Sequence, residues 1–167
     1  MNIVLITLLL MLGAAVQTLV PCWVFAGNAE WPILTALLIY ISLRVSDSYL
    51  VYTALLTGLL YDSFSPAPLG SAMPFFLLLG AGLYMLRDEV FADEVVSYVL
   101  IGLSALLLKT VYFTLLFAVN GLRPLQWGML AGRLAGGLVL GAFIVPMVYL
   151  TLTALRHAAP SGRRRRR

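Results

Sequence analysis

Long apolar runs, separated by short polar segments, make up most of this sequence. The runs do not alternate between apolar and polar positions, so they favour helices over the strands of a membrane barrel. Six runs follow one another: Ile3 to Phe25, Pro32 to Leu43, Ser48 to Tyr61, Leu69 to Leu86, Val95 to Val119 and Leu125 to Leu155. The pattern predicts an all-α protein, a bundle of about six helices.

Two of the runs are short for a membrane crossing. As a helix, Pro32 to Leu43 extends about 18 Å, whereas the hydrocarbon core of a bilayer is about 30 Å thick. The next run, Ser48 to Tyr61, is only slightly longer. The two runs form either two tilted spans joined at Arg44 to Asp47 or one re-entrant hairpin, and we favour two spans. In the long last run, Pro146 is expected to produce a kink because proline removes a backbone hydrogen bond.

Composition sets the class of protein. Of the 167 residues, 62% are hydrophobic and 11% are charged, and the mean hydropathy is +0.99. A soluble domain is about 25% charged, so these values predict an integral membrane protein and exclude a soluble enzymatic domain. No linker divides the chain, so residues 1–157 are predicted to form a single transmembrane helical domain, followed by a basic cytoplasmic tail at 158–167.

Arginines outside the runs lie mostly on one side of a six-span arrangement. That side holds Arg44, Arg87, Arg156 and Arg163 to Arg167, and the other side holds only Arg123. Because cytoplasmic loops carry an excess of Lys and Arg, both termini are predicted to be cytoplasmic. The arginine tail is then expected to lie on anionic membrane lipids or on an acidic partner. The acidic cluster on the same side, at positions 88–94, is expected to be a solvated loop or a helix cap.

Asp62 stands at the edge of an apolar run. A charge in hydrocarbon costs about 2.5 to 3.5 kcal/mol at the centre of a helix and less near the interface, so Asp62 is expected to have a compensating partner or role. Ala54, Gly58 and Asp62 follow at four-residue spacing, which places the carboxylate on a stripe of small residues rather than toward lipid. We predict that Asp62 organises the turn that follows it, with Arg133 as its candidate ion-pair partner.

Two charges lie inside apolar runs, and each has more than one explanation. Lys109, near the middle of the fifth run, either snorkels or pairs inside the bundle, or contacts a substrate or partner. Arg133 is closer to the predicted outer interface, where snorkelling alone would explain it. The last run also carries glycines that let another helix approach, from the same bundle or from a partner. They are Gly128, Gly132, Gly136, Gly137 and Gly141.

The sequence contains few residues of the kinds that carry out catalysis. The single histidine is His157 and the single cysteine is Cys22, which are too few for a metal cluster or a Cys/His couple within one chain. No phosphate-binding glycine loop and no carboxylate pair within a run is present. We therefore predict a protein that is not an enzyme, has no catalytic, cofactor or metal residues, and does not bind nucleic acid.

One segment, Tyr52 to Gly70, resembles the signature of the rod shape-determining protein MreD family. The resemblance lies in Gly58, three residues, Asp62, a short loop containing Pro68, and Leu69-Gly70 opening the next helix. It extends in weaker form over the whole chain, including Gln17 and Pro21 at the end of the first run and Pro32 at the start of the second.

The resemblance implies a non-enzymatic scaffold subunit of the bacterial elongasome, located in the cell inner membrane. Such a subunit supports side-wall peptidoglycan synthesis and rod cell shape. Its implied partners are MreC and, through the complex, RodA, a class B penicillin-binding transpeptidase and MreB filaments. The family fold is similar to that of the substrate-binding subunits of energy-coupling-factor vitamin transporters, which gives the alternative function.

Overall fold

The computed structural model describes residues 3–20, 30–44, 49–65, 68–87, 95–121 and 127–158, and every regular element in them is a helix. The six helices are α1 (Ile3–Leu19), α2 (Ile33–Arg44), α3 (Leu50–Phe64), α4 (Ala72–Met85), α5 (Val95–Val119) and α6 (Trp127–Ala158). The predicted all-α class is confirmed for these residues, with one helix in each apolar run.

Some predictions concern positions outside these ranges. They are the Pro21 position, the 45–47 connection, the acidic cluster at 88–94, Arg123 and the tail from position 159. Within the described residues, two helices contain segments long and apolar enough to cross a membrane, Val96–Val119 in α5 and Leu130–Leu155 in α6. The other four helices are apolar but have only 12 to 17 residues each.

Helix α2 is the centre of the structure. Every residue from Leu34 to Leu43 is buried, including the polar Thr35 and Ser42. The helix packs against each of the other five helices. A helix covered on all sides needs no polar face, which explains why the sequence of α2 shows no amphipathic pattern.

Helix α1 docks onto α2 and α3 through two polar contacts. The side-chain oxygen of Gln17 accepts a hydrogen bond of 3.0 Å from the backbone N–H of Leu34, in the first turn of α2. This N–H has no partner inside its own helix, so Gln17 satisfies a donor that would otherwise be buried and unpaired. The hydroxyls of Thr7 and Tyr52 lie 2.7 Å apart and join α1 to α3.

Helices α5 and α6 approach closely at a glycine seam formed by Gly102, Gly137 and Gly141. A Cβ atom added at Gly141 would collide with the Leu106 side chain and lie 3.2 Å from the Gly102 carbonyl oxygen. One added at Gly102 would lie 2.9 Å from a methyl group of Val145. Gly137 and Gly141, two of the five small residues predicted to form a packing face in α6, therefore pack against α5 within the chain, and Gly102 is a member that was not singled out from the sequence.

A role of Gly128 in that packing face stays a prediction. A Cβ added there meets no atom of the described residues within 4 Å. Gly136 is buried and Gly132 is half-buried, and a packing role for Gly132 stays a prediction.

We expect Gly141→Leu to lower the free energy of unfolding by about 1 to 3 kcal/mol, because a large side chain would force α5 away from α6. Gly128→Leu, in the same helix, is the matched control and should change stability little. Thermal unfolding of the two purified variants in one detergent measures the difference. Equal melting temperatures would show that the seam does not hold α5 against α6.

Candidate functional site: the Asp62 turn and a buried ion pair

The Asp62 carboxylate caps the start of α4 from the neighbouring helix α3. It is buried and accepts a hydrogen bond of 2.7 Å from the N–H of Gly70, and the N–H of Ala72 lies 3.1 Å from both of its oxygens. The Ser71 hydroxyl donates a third bond at 3.2 Å. Backbone N–H groups at a helix start have no partner within the helix, and the helix dipole favours an anion there. Asp62 thus organises the turn that follows it, as the sequence predicts.

The turn itself runs from Pro68 to Ser71. The Ser71 N–H donates to the Pro68 carbonyl at 3.1 Å, and Gly70 has a φ of +91°, a conformation that residues with a Cβ rarely adopt. From α5, the Tyr112 hydroxyl donates to the Ser71 carbonyl at 2.8 Å. Leu69 is 75% exposed, so within the described part of the chain it contributes to the shape of the turn rather than to the core.

The small-residue stripe of α3 faces α4. A Cβ added at Gly58 would lie 2.7 Å from the Cα atom of Met73, and one added at Gly80 would lie 3.6 Å from the Cβ of Ala54. Residue numbers rise along α3 as they fall along α4, so the two helices are antiparallel. Their close approach at Gly58 brings Asp62 to the first turn of α4.

Lys109 pairs inside the structure, which is one of the two explanations given for it. Its Nζ atom lies 3.6 Å from a carboxylate oxygen of Glu30 and 4.3 Å from the centre of the Tyr61 ring. The Tyr61 hydroxyl donates a hydrogen bond of 2.6 Å to that same Glu30 oxygen. Glu30, in the segment that enters α2, was not singled out from the sequence.

The charge of Glu30 is maintained by these neighbours. Partial burial raises the pKa of the Glu30 carboxyl, but the Lys109 ammonium and the Tyr61 hydroxyl outweigh that effect and hold the pKa below its usual value of 4.5. The Arg133 guanidinium acts on Glu30 in the same direction, more weakly. Glu30 is therefore anionic at neutral pH.

Arg133 is half-buried on α6. Its positive charge acts on both Glu30 and Tyr61. The pairing of Arg133 with Asp62 stays a prediction, since the hydrogen bonds described for the Asp62 carboxylate come from Gly70, Ser71 and Ala72.

A second polar cluster lies at the other end of α2. Arg44 donates hydrogen bonds to the hydroxyls of Tyr149, at 3.0 Å, and Tyr98, at 3.4 Å. The two tyrosine rings stack with their centres 3.9 Å apart. From the sequence, Arg44 is recognisable only as a topology signal, because its aromatic partners lie far along the chain.

No protein-family model, curated protein or solved structure matches this chain. Within the described residues, no three His, Cys, Asp or Glu side chains come together as a metal site would require. Both oxygens of Asp62 accept hydrogen bonds from the α4 start, and the Lys109 ammonium faces Glu30. In the described residues, the Asp62 carboxylate joins α3 to α4, and the Glu30 carboxylate neutralises the Lys109 ammonium.

Proposed function

We propose that this chain is an integral membrane protein of about six membrane-embedded helices. The main support is the outward surface, where large apolar side chains such as Leu5, Leu12, Leu78, Phe143 and Met147 are exposed. Only 28% and 33% of the most apolar windows of α5 and α6 are buried, whereas a core helix of a soluble protein would be mostly buried. Soluble monomers rarely expose apolar patches above a few hundred Å².

Both termini are proposed to be cytoplasmic, with the Asp62 turn on the outer side. Support comes from the arginine asymmetry of the sequence. With Cys22 replaced by serine, a cysteine at Ser65 should react with an impermeant reagent added outside. A cysteine at Ser161 should react only after the membrane is opened. Labelling of the Ser65 position from the cytoplasmic side alone would overturn this topology.

We infer that the chain is a non-enzymatic scaffold subunit of the elongasome and binds MreC. The observation that carries this proposal is the capping of α4 by Asp62, because Gly58 and Asp62 of the MreD-like signature are buried between α3 and α4, and Gly70 donates a hydrogen bond to the Asp62 carboxylate. Gly58 lets α3 approach α4 closely, Asp62 accepts hydrogen bonds from the start of α4, and Gly70 adopts the positive φ that the turn requires. Their roles are architectural, which fits a subunit that positions other proteins such as RodA, the transpeptidase and MreB filaments.

A vitamin-binding subunit of an energy-coupling-factor transporter is the second candidate. One observation favours it: the hydroxyls of Thr35, Ser42 and Thr57 are buried without a hydrogen-bond partner in the described residues. A subunit that binds a small polar molecule would use such groups to hold it.

Depletion of the protein in a rod-shaped host separates the two functions. If the protein is a scaffold, depleted cells should become round, and no added vitamin should restore their shape. In undepleted cells, MreC should be recovered with the protein in mild detergent. Rod-shaped cells whose growth stops until one vitamin is supplied would overturn the scaffold and support the transporter.

A further inference from the structure

Groups from three helices converge on the carboxylate of Glu30. Tyr61 of α3 donates a hydrogen bond to it, and Lys109 of α5 forms an ion pair with it. Arg133 of α6 adds positive potential at the same place. Glu30 itself is on none of these helices, because it lies in the segment that precedes α2.

Lys109 and Tyr61 are held inside the bundle, while the Glu30 carboxylate lies nearer the protein surface. The Lys109 side chain is 9% exposed and the Glu30 side chain is 43% exposed. The Tyr61 ring packs against Phe113, with centres 4.8 Å apart, and against Phe76, at 5.7 Å. The 3.6 Å separation of Lys109 and Glu30 exceeds the roughly 2.7 to 2.9 Å of a close charge-assisted hydrogen bond. Glu30 therefore contacts Tyr61 closely and Lys109 more loosely, and almost half of its side chain is exposed.

We propose that Tyr61 and Lys109 form a receptor for the carboxylate of a ligand, and that Glu30 occupies this receptor as an exchangeable internal substitute. The ligand class follows from the resident group, a planar carboxylate held by one hydroxyl and an ammonium. It is either a free carboxylic acid or an acidic side chain of another polypeptide. The proposal does not depend on the scaffold function.

Chemical rescue of Glu30→Ala tests the receptor. Removing the resident carboxylate leaves Lys109 buried without this counterion, so the purified variant should melt below wild type. Sodium acetate at about 100 mM should then raise its melting temperature by about 3 to 6 °C relative to sodium chloride of equal ionic strength, if the site half-fills near 10 mM. The rise should saturate with acetate concentration. Wild type should shift by less than about 1 °C, because Glu30 fills the site.

Two controls assign the effect to the receptor. Glu30→Gln fills the same space without charge and should show no acetate-specific rise, and Glu30→Ala with Lys109→Met should lose the rise because the ammonium is gone. An unresponsive Glu30→Ala protein, or an equal rise in Glu30→Gln, would overturn the proposal. Replacing acetate by a blocked Gly-Glu-Gly peptide distinguishes the source, since a larger rise than with acetate supports an acidic polypeptide and a smaller one supports a free acid.

Discussion

Asp62→Ala should destabilise the folded protein by about 2 to 4 kcal/mol, because the N–H groups of Gly70 and Ala72 and the Ser71 hydroxyl lose their acceptor at once. Asp62→Asn keeps one acceptor oxygen and much of the shape, so we expect about half of that loss. Thermal or denaturant unfolding in one detergent measures both variants.

The neighbouring residue provides the control for this prediction. Ser63 is exposed and its hydroxyl donates only to the Leu59 carbonyl of its own helix, so Ser63→Ala should change stability by less than about 0.5 kcal/mol. A stability of Asp62→Ala equal to that of Ser63→Ala would contradict the capping role. For the proposed scaffold, rod shape should be lost in the same order, with alanine worse than asparagine.

Gly58→Ala is the second change with a large expected effect. The added methyl group would lie 2.7 Å from the Cα and 2.9 Å from the backbone nitrogen of Met73. Backbone atoms cannot rotate away as a side chain can, so α3 and α4 must separate. We expect a loss of about 1 to 3 kcal/mol or more, and a weaker Asp62 cap, because the carboxylate moves away from the α4 start.

Gly82→Ala is the matched control in α4. An added Cβ there meets nothing within 4 Å in the described residues, and alanine favours a helix by about 1 kcal/mol over glycine. The variant should therefore be as stable as wild type or slightly more so. If unfolding measurements gave Gly58→Ala the same gain, the close contact of α3 with α4 would be absent in solution.

The sequence predicts the order of the helices in the described residues well, because each helix falls within one long, mostly apolar run. It also predicts that Asp62 faces inward, since Ala54 and Gly58 share its helix face. These inferences use only local spacing, which the backbone geometry of a helix fixes.

Contacts between distant runs could not be predicted in the same way. Lys109 pairs with Glu30, 79 positions earlier (109 − 30), and no local pattern links them. The available signal was charge balance, because Glu30 and Asp62 are the acidic residues that the predicted topology places on the outer side. Gly102 was missed because the residues four positions before and after it are not glycines. Its role is visible only from the close packing of α6 against it.

The position of α2 has a consequence for biosynthesis. Arg44, at its end, donates to Tyr98 and Tyr149, which are 54 and 105 residues further along the chain. When α2 leaves the ribosome, neither hydroxyl has yet been synthesised, and α5 and α6 are not there to cover the helix. The central helix is thus enclosed only after α6 has been synthesised, and a chain truncated before α6 lacks the Tyr149 hydroxyl to which Arg44 donates.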